Sequence, residues 1–528
     1  MIARQRILKN LVDLVTGTFI SRIVGFLREL VTAAFYGTNK SMDLFVIAFT
    51  IPTFFRQFLG EDVVERAFMP PFKKLISQQK LNQAWRLLSS CLNIMTVSLL
   101  VFMGFCYLIA PFLVRVIAPG LETQFMHQAV IMTYWLLPFM VLIGLAAFVG
   151  GVLNFFEMNR IYSFAPVMLS IGVIIGIYGF QNLLGIYALA AGFLIGGLLT
   201  FLVQIPFLWA REIRQTQARY YGTIDFHNRE FRTVGRESGF IVLKALLDKS
   251  VEIVGRMLAS FLVSGSIASL WFAQRLFQMP VAILGLAISR SLIPFLTEKK
   301  ALTHDNAFLY GIKSGIRLNY LLMIPTTTIM IVTSSSIISI VYQRGSFDET
   351  STSLTSLAFL CYVLGLLGLS LNSFFARIFS IFQKNKVPLY ISVFSAIMTI
   401  ILNFVLVKTP LKHGGIALSS SIAFSVNSIV LYYFLHKELK GQLSAKTVIT
   451  EFLITLVYGI IAGGLTWFIF HTPLVISVSQ SIKPVFLMHC IHFLIATILV
   501  ITIFGLLIVI LGPVELKEQV QRVYKRTP

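Results

Sequence analysis

The sequence predicts an all-α polytopic membrane protein with about fourteen transmembrane helices. Three observations carry that expectation. Hydrophobic residues make up 57% of the 528 positions and charged residues only 12%, about half the charged share of a soluble domain. Apolar runs of about 18 residues or more recur along the whole length, each long enough to cross a hydrocarbon core of about 30 Å. Basic residues fall in alternate loops. Lipid admits only elements that close their own backbone hydrogen bonds, and runs this long and uninterrupted mean helices rather than barrel strands. The mean hydropathy of +0.84 excludes a soluble protein.

The spans are expected near 11–36, 42–70, 87–114, 125–156, 162–180, 184–209, 238–263, 267–296, 315–342, 353–382, 387–407, 414–435, 447–470 and 484–512. The first follows a basic start (Arg4, Arg6, Lys9) and carries Asp13, Arg22 and Arg28 without a small-residue cleavage pattern, so it reads as a retained span rather than a signal peptide. Loops on the N-terminal side hold Lys73, Lys74, Lys80, Arg86, the basic run 211–236, Lys299, Lys300, Lys384, Lys386, Lys437, Lys440 and Lys446. Loops on the opposite side hold only Lys40, Arg115, Arg344, Lys408, Lys412 and Lys483. The alternation predicts an even number of spans with both termini cytoplasmic. It also accounts for the net charge of +21 without invoking nucleic acid. Cys91, Cys106, Cys361 and Cys490 lie in apolar segments, too dispersed for a metal site, and read as packing residues.

The first twelve helices read as two copies of six. A-F-T-I-P ending at Pro52 matches L-F-Q-M-P ending at Pro280; 152–160 lines up with 378–386, and G-I-Y-A-L-A from Gly185 with G-I-A-L-S from Gly415. The offsets are 226 to 230 residues, in one order. Both copies begin on the same side, so the repeat is parallel, and two such lobes enclose a central cavity. The expected division is 1–209 for the N-terminal lobe, 210–236 for a basic cytoplasmic linker, 237–440 for the C-terminal lobe, and 441–528 for two additional helices and a cytoplasmic tail. Pro52 and Pro280 remove a helical hydrogen bond at matching places and mark either a hinge or a static bend.

Basic residues inside spans concentrate in the first, second, seventh and eighth helices: Arg22, Arg28, Arg56, Arg66, Lys244, Lys249, Arg256, Arg275 and Arg290, with Arg377 beyond them. Each costs about 2.5–3.5 kcal/mol at a helix centre, so each should face water or a partner. Lys244, Asp248, Glu252 and Arg256 follow at four-residue intervals, which predicts either a self-neutralising ladder along a cavity or a substrate contact. Arg22, Arg28, Arg56 and Arg275 have no evident local partner. Arg28 adjoins Glu29, but neighbouring helical residues point apart. A planar guanidinium fork suits a pyrophosphate; the alternative is pairing with Asp43 or Glu61.

Several segments resemble the MurJ (MviN) family of lipid II flippases, within the MOP exporter superfamily. They are S-R-I-V-G-F-L-R-E (21–29), M-D-L-F-V-I-A-F-T-I-P-T-F-F-R (42–56), N-R-I-Y-S-F-A-P-V-M-L (159–169), F-A-Q-R-L-F-Q-M-P (272–280) and V-Y-Q-R-G-S-F-D (341–348). The resemblance covers essentially the whole chain. It implies a flippase that moves lipid II to the outer leaflet of the bacterial inner membrane by alternating access. It implies that Arg22, Arg28, Arg56 and Arg275 are cavity arginines engaging the head group, that Asp43 is a functional acid and Glu61 a gating acid, and that the last two helices accommodate the polyprenyl tail. Implied partners are lipid II, membrane lipids and the cell-wall synthesis machinery; no cofactor is expected, and the drive is left between membrane potential and an ion. G-E-D-V-V-E-R-A-F (60–68) departs from the family by adding Asp62, Glu65 and Arg66. Gln278 stands where the family often has an acid, and Val407 follows Asn403 where sodium-binding relatives have an acid, which argues against that sodium site. The alternatives are a MOP-type exporter of another polyprenyl-linked oligosaccharide or of drugs. A polyprenyl-phosphate enzyme would need paired acids or an acid–base cluster; His489 and His492 have no acid nearby in sequence.

Overall fold

The computed structural model describes residues 2–56, 63–210, 213, 215–216, 219–222, 224–225, 229–301, 305–472, 485–513 and 516. Its described residues form helices and connecting turns, with no strand among them. They divide into two compact units, residues 1–268 with 344–347, and residues 269–343 with 348–528.

The first unit holds α1 (Ile2–Tyr36), α2 (Lys40–Arg56), a π-helical turn (Val64–Phe68), α3 (Met69–Ser77), α4 (Leu81–Ile117), α5 (Thr123–Phe155), α6 (Asn159–Leu184), α7 (Tyr187–Leu202) and α8 (Arg229–Ala259). α6 packs on α7 and on α1, and α5 packs on α2, α4 and α7. The α6–α7 contact is backbone on backbone: a Cβ on Gly192 would come within 2.8 Å of Val173 Cα, so only glycine permits this approach. A second core gathers Phe68, Phe72, Trp85, Leu88, Phe148 and Leu153. The basic linker is pinned along α4 where it is described. Trp85 Nε1 donates to Thr216 O at 2.9 Å, Tyr221 N to Ser89 Oγ at 3.0 Å and Asp225 N to Ser90 Oγ at 3.1 Å.

The second unit holds most of α9 (Ser266–Pro280), a π-helical turn (Val281–Gly285), α10 (Leu286–Ala301), α11 (Asp305–Val332), α12 (Ser334–Tyr342), α13 (Glu349–Val363), α14 (Leu366–Ile381), α15 (Lys386–Leu406), α16 (His413–Glu438), α17 (Ala445–Phe470) and α18 (Val485–Leu511). α16 packs on α13, α14 and α15, and α11 on α14 and α17. α17 buries Glu451, Thr455, Tyr458, Gly459, Ala462, Gly463 and Thr466, one helical face with small residues at its centre. A Cβ on Gly463 would stand 2.8 Å from Thr328 Cγ2 of α11. Many other residues of α17 and α18 are apolar and exposed, Ile460, Phe468, Ile498 and Ile510 among them, while Ala496, Val500, Phe504 and Ile508 of α18 are buried.

The offset that pairs the matching sequence segments also pairs left-handed residues. Gly37 (φ 55°) and Gly265 (φ 88°) are left-handed 228 residues apart; Glu157 (φ 62°) and Gln383 (φ 57°) are so at 226, within the paired segments 152–160 and 378–386. For Glu157 and Gln383, which carry a Cβ, this conformation is uncommon, so its recurrence at the offset of the paired segments agrees with the expected repeat.

Among the described residues ten helices are long and apolar enough to cross a membrane, or eleven if the bent pair Glu349–Val363 and Leu366–Ile381 forms one span. That is fewer than the fourteen expected. The shortfall falls on α1, α2 and α8, which carry the concentrated charges.

Candidate functional site

In the first unit, charge is organised around one face of α2. Asp43, in its first turn, is 4% exposed. Its carboxylate accepts from Gly265 N at 2.6 Å and Ala268 N at 2.8 Å, the free amides at the beginning of α9. An anion there satisfies orphan donors and complements the helix dipole. Asp43 therefore binds backbone, not one of the arginines considered as its partner.

One and two turns along the same face, Val46 and Thr50 meet Arg256 of α8. Arg256, 7% exposed, donates to Thr50 Oγ1 and pairs with Glu252 at 2.5 Å. Glu252 also holds Lys249 at 2.6 Å. The Glu252–Arg256 step of the expected ladder is thus present. Lys249, which that ladder passed over, joins it because a three-residue spacing also brings side chains together. The side chains of Lys244, Asp248 and Arg56 lie outside the described set, and so does Glu61.

Arg28 corrects the sequence reading. Its guanidinium pairs with the adjacent Glu29 at 2.7 Å, both side chains largely buried, and lies 5.7 Å from the centre of the Phe193 ring. Neighbouring residues leave a helix about 100° apart, but the long arginine stem curls back far enough to meet the carboxylate. Arg22 is exposed on α1. In the second unit Arg275 is exposed and stacks 4.3 Å over the ring of Trp271, one turn earlier on α9. The first unit thus brings Asp43, Glu252 and Arg256 together on α2 and α8, with Arg28 on α1 against Phe193 of α7, whereas Arg275 belongs to the second unit.

The second unit contains an ion pair that the sequence reading missed. Arg317 Nε donates to both Glu451 oxygens at 3.0 Å, and Nη2 to Oε1 at 2.5 Å. Both residues are buried, and the pair joins α11 to α17. The available signal was a lone charge in each of two apolar runs. Asn403 is buried and accepts from Ser419 Oγ, so its side-chain oxygen is engaged within the protein. Among the described residues no group of three or more His, Cys, Asp or Glu is placed to hold a metal ion.

These ionised groups sit within a helical membrane fold that has known counterparts. The family model described as "Lipid II flippase MurJ" matches residues 32–487. The chain belongs to the MurJ family. Among similar MurJ proteins is a "Probable lipid II flippase MurJ" of Buchnera aphidicola subsp. Baizongia pistaciae (strain Bp), 26% identical over 432 residues, covering 81% of this chain and 83% of that one. The "Lipid II flippase MurJ" of Burkholderia cenocepacia is 28% identical over 426 residues, covering 80% and 82%. A solved MurJ in an inward closed conformation superposes with a TM-score of 0.75 at 21% identity, over 93% of this chain and 98% of that one. An inward-facing multidrug resistance MATE transporter of the MOP superfamily superposes at 0.59 and 14%, over 81% and 94%. Both structural likenesses are of fold. MurJ membership makes the chain a multi-pass membrane transporter.

Proposed function

We propose that this chain carries lipid II from the cytoplasmic to the outer leaflet of the inner membrane by alternating access. The observation that carries the reading is the MurJ family match across residues 32–487. The charged helices support it: a lipid carrier must offer an anionic pyrophosphate a polar path through apolar surroundings, and intramembrane charge marks such paths. Arg22, Arg28, Arg56 and Arg275 are the proposed head-group contacts, with Asp43 as a functional acid and charge partner and Glu61 as the gating acid. Lys244, Asp248, Glu252 and Arg256 are the proposed charged wall.

The same reading restores fourteen spans. α1, α2 and α8 join the ten long apolar helices and the bent pair, because a helix lining a wet cavity need not be apolar all round. The lobes are then 1–209 and 237–440, the linker 210–236, and the tail-accommodating hairpin 441–528, with both termini cytoplasmic. The exposed apolar faces of α17 and α18 suit a polyprenyl chain. The test is depletion in cells, followed by measuring the leaflet in which lipid II accumulates. Build-up in the cytoplasmic leaflet is expected; unchanged leaflet distribution after full depletion rules the reading out.

A further inference from the structure

The strongest unassigned feature lies in the second unit, at the beginning of α11. A cavity of about 760 Å³ is lined there by Asn306, Leu309, Tyr310, Lys313 and Gln442. Among the first four, Asn306 lies three and four residues before Leu309 and Tyr310, and these lie four and three before Lys313, so all share one helical face.

Gln442 forms the other wall from the turn between α16 and α17, and that turn is firmly built. Lys440 (φ 50°) and Gly441 (φ 77°) are left-handed. Gly441 N donates to His436 O at 3.1 Å, and His436 Nδ1 lies 2.7 Å from Leu443 O. Leu439 and Leu443 are buried in the core of the unit. The cavity is therefore shaped by anchored backbone on both sides.

Lys313 gives the cavity its chemistry. It is half-buried, and among the described residues no carboxylate pairs with it. Two other cations of this unit are matched in contrast: Arg317, one turn on, holds Glu451, and Lys384 holds Glu438 at 2.7 Å. A partly desolvated ammonium without an acid favours an incoming anion. The side-chain amides of Asn306 and Gln442, both exposed, add donors, and several donors around one cation suit phosphate. The cavity sits where membrane helices end, between the first turns of α11 and the α16–α17 turn. Lys437, Lys440 and Lys446 of that same turn region raise the local positive potential.

We propose that this cavity binds the phosphate of an anionic membrane lipid, with Lys313 as its counter-ion. Leu309 supplies apolar surface beside the phosphate donors. The site is independent of lipid II carriage and stands or falls separately.

The test uses the full chain in nanodiscs of phosphatidylcholine, with or without phosphatidylglycerol, read by native mass spectrometry and thermal unfolding. Phosphatidylglycerol should raise the unfolding midpoint of the parent and remain bound on release. Lys313→Gln should bind it about fivefold more weakly, and Lys313→Arg should retain it. Gln442→Glu, which places a carboxylate in the cavity, should also weaken it and carries the test if Lys313→Gln fails to fold. Inorganic phosphate in pure phosphatidylcholine should leave the midpoint unmoved. Equal phosphatidylglycerol retention by the parent, Lys313→Gln and Gln442→Glu overturns the site. A Lys313-dependent shift with inorganic phosphate alone overturns the lipid assignment in favour of a free-phosphate site.

Discussion

Arg28 is the residue at which sequence and structure part most usefully. It sits in an ion pair with Glu29 and faces Phe193, so an incoming pyrophosphate must compete with a carboxylate for the guanidinium. Charge-assisted contacts contribute about 1.5–3 kcal/mol each. Arg28→Ala, Arg56→Ala and Arg275→Ala should therefore each lower productive lipid II binding about tenfold to a hundredfold. Arginine-to-lysine variants should recover only part, since lysine lacks the fork. Translocation assays at matched membrane levels decide it; parental rates in all three alanine variants sink the cavity-arginine mechanism. Arg317 and Glu451 behave differently because they are sealed in the core. Glu451→Gln leaves a buried guanidinium without its counter-charge and should cost about 3–5 kcal/mol, whereas Arg317→Met with Glu451→Met should be neutral or stabilising. Unfolding in detergent would separate the two; equal losses in both variants count against this account. The partners lie 134 residues apart, and nothing in either local run names the other, so the pair was invisible until the helices were placed.

Individual elements were far more legible. Helix existence followed from long apolar runs, and the boundaries of α6, α15 and α17 lie within a few residues of expectation. α1, α2 and α8 were expected as spans from the sequence, yet they are not among the long apolar helices of the described residues. The cap of α13 is a local device with a pH signature. Asp348 accepts from Ser351 N at 2.8 Å, and that hydrogen bond, followed by one from the Ser351 side chain, lowers its pKa below the ordinary carboxylate value. A carboxyl whose pKa is lower when folded stabilises the fold above its unfolded pKa, and the stabilisation disappears as pH falls through the folded value. The cap should hold at neutral pH and be lost on acidification below about pH 4. Asp348→Ala should cost about 0.5–2 kcal/mol at pH 7 and make stability less sensitive to that acid window. Thermal unfolding at pH 7 and pH 3 tests this, and an identical pH dependence in parent and variant would contradict it. On α17, Gly463→Leu should force the helix off Thr328 and cost about 1–3 kcal/mol, measurable as a lower unfolding midpoint.

At the scale of the molecule, the repeat is expected from three short matches, and left-handed residues recur at nearly the same offset. The way the helices sort into compact units was not visible. α8 packs with the first unit although the repeat begins a new copy there, and residues 344–347 do the same. Packing partners depend on which faces meet, and a one-dimensional offset does not encode that. Orientation rests on the distribution of lysine and arginine. Cysteine labelling from each side should find residues 210–236 protected from an impermeant outside reagent and residues 343–348 open to it. The reverse pattern would invert the topology.

The π-helical turn Val281–Gly285 interrupts an otherwise continuous helix from Ser266 to Ala301. Such a turn is one residue more than an α-helix needs over the same length. The chain should therefore tolerate a deletion there that it would tolerate almost nowhere else. Removing Ala282 relaxes the turn to α-helix and leaves both flanks with their present neighbours, so the shortened protein should still insert and unfold near the parental temperature. Removing Ala273 instead swings residues 274–280 through about 100°, taking Phe277 out of the core and Arg275 to a different face. A library of single-residue deletions across 266–301, scored for membrane level, should show a window of survival at 281–285 and losses upstream of it.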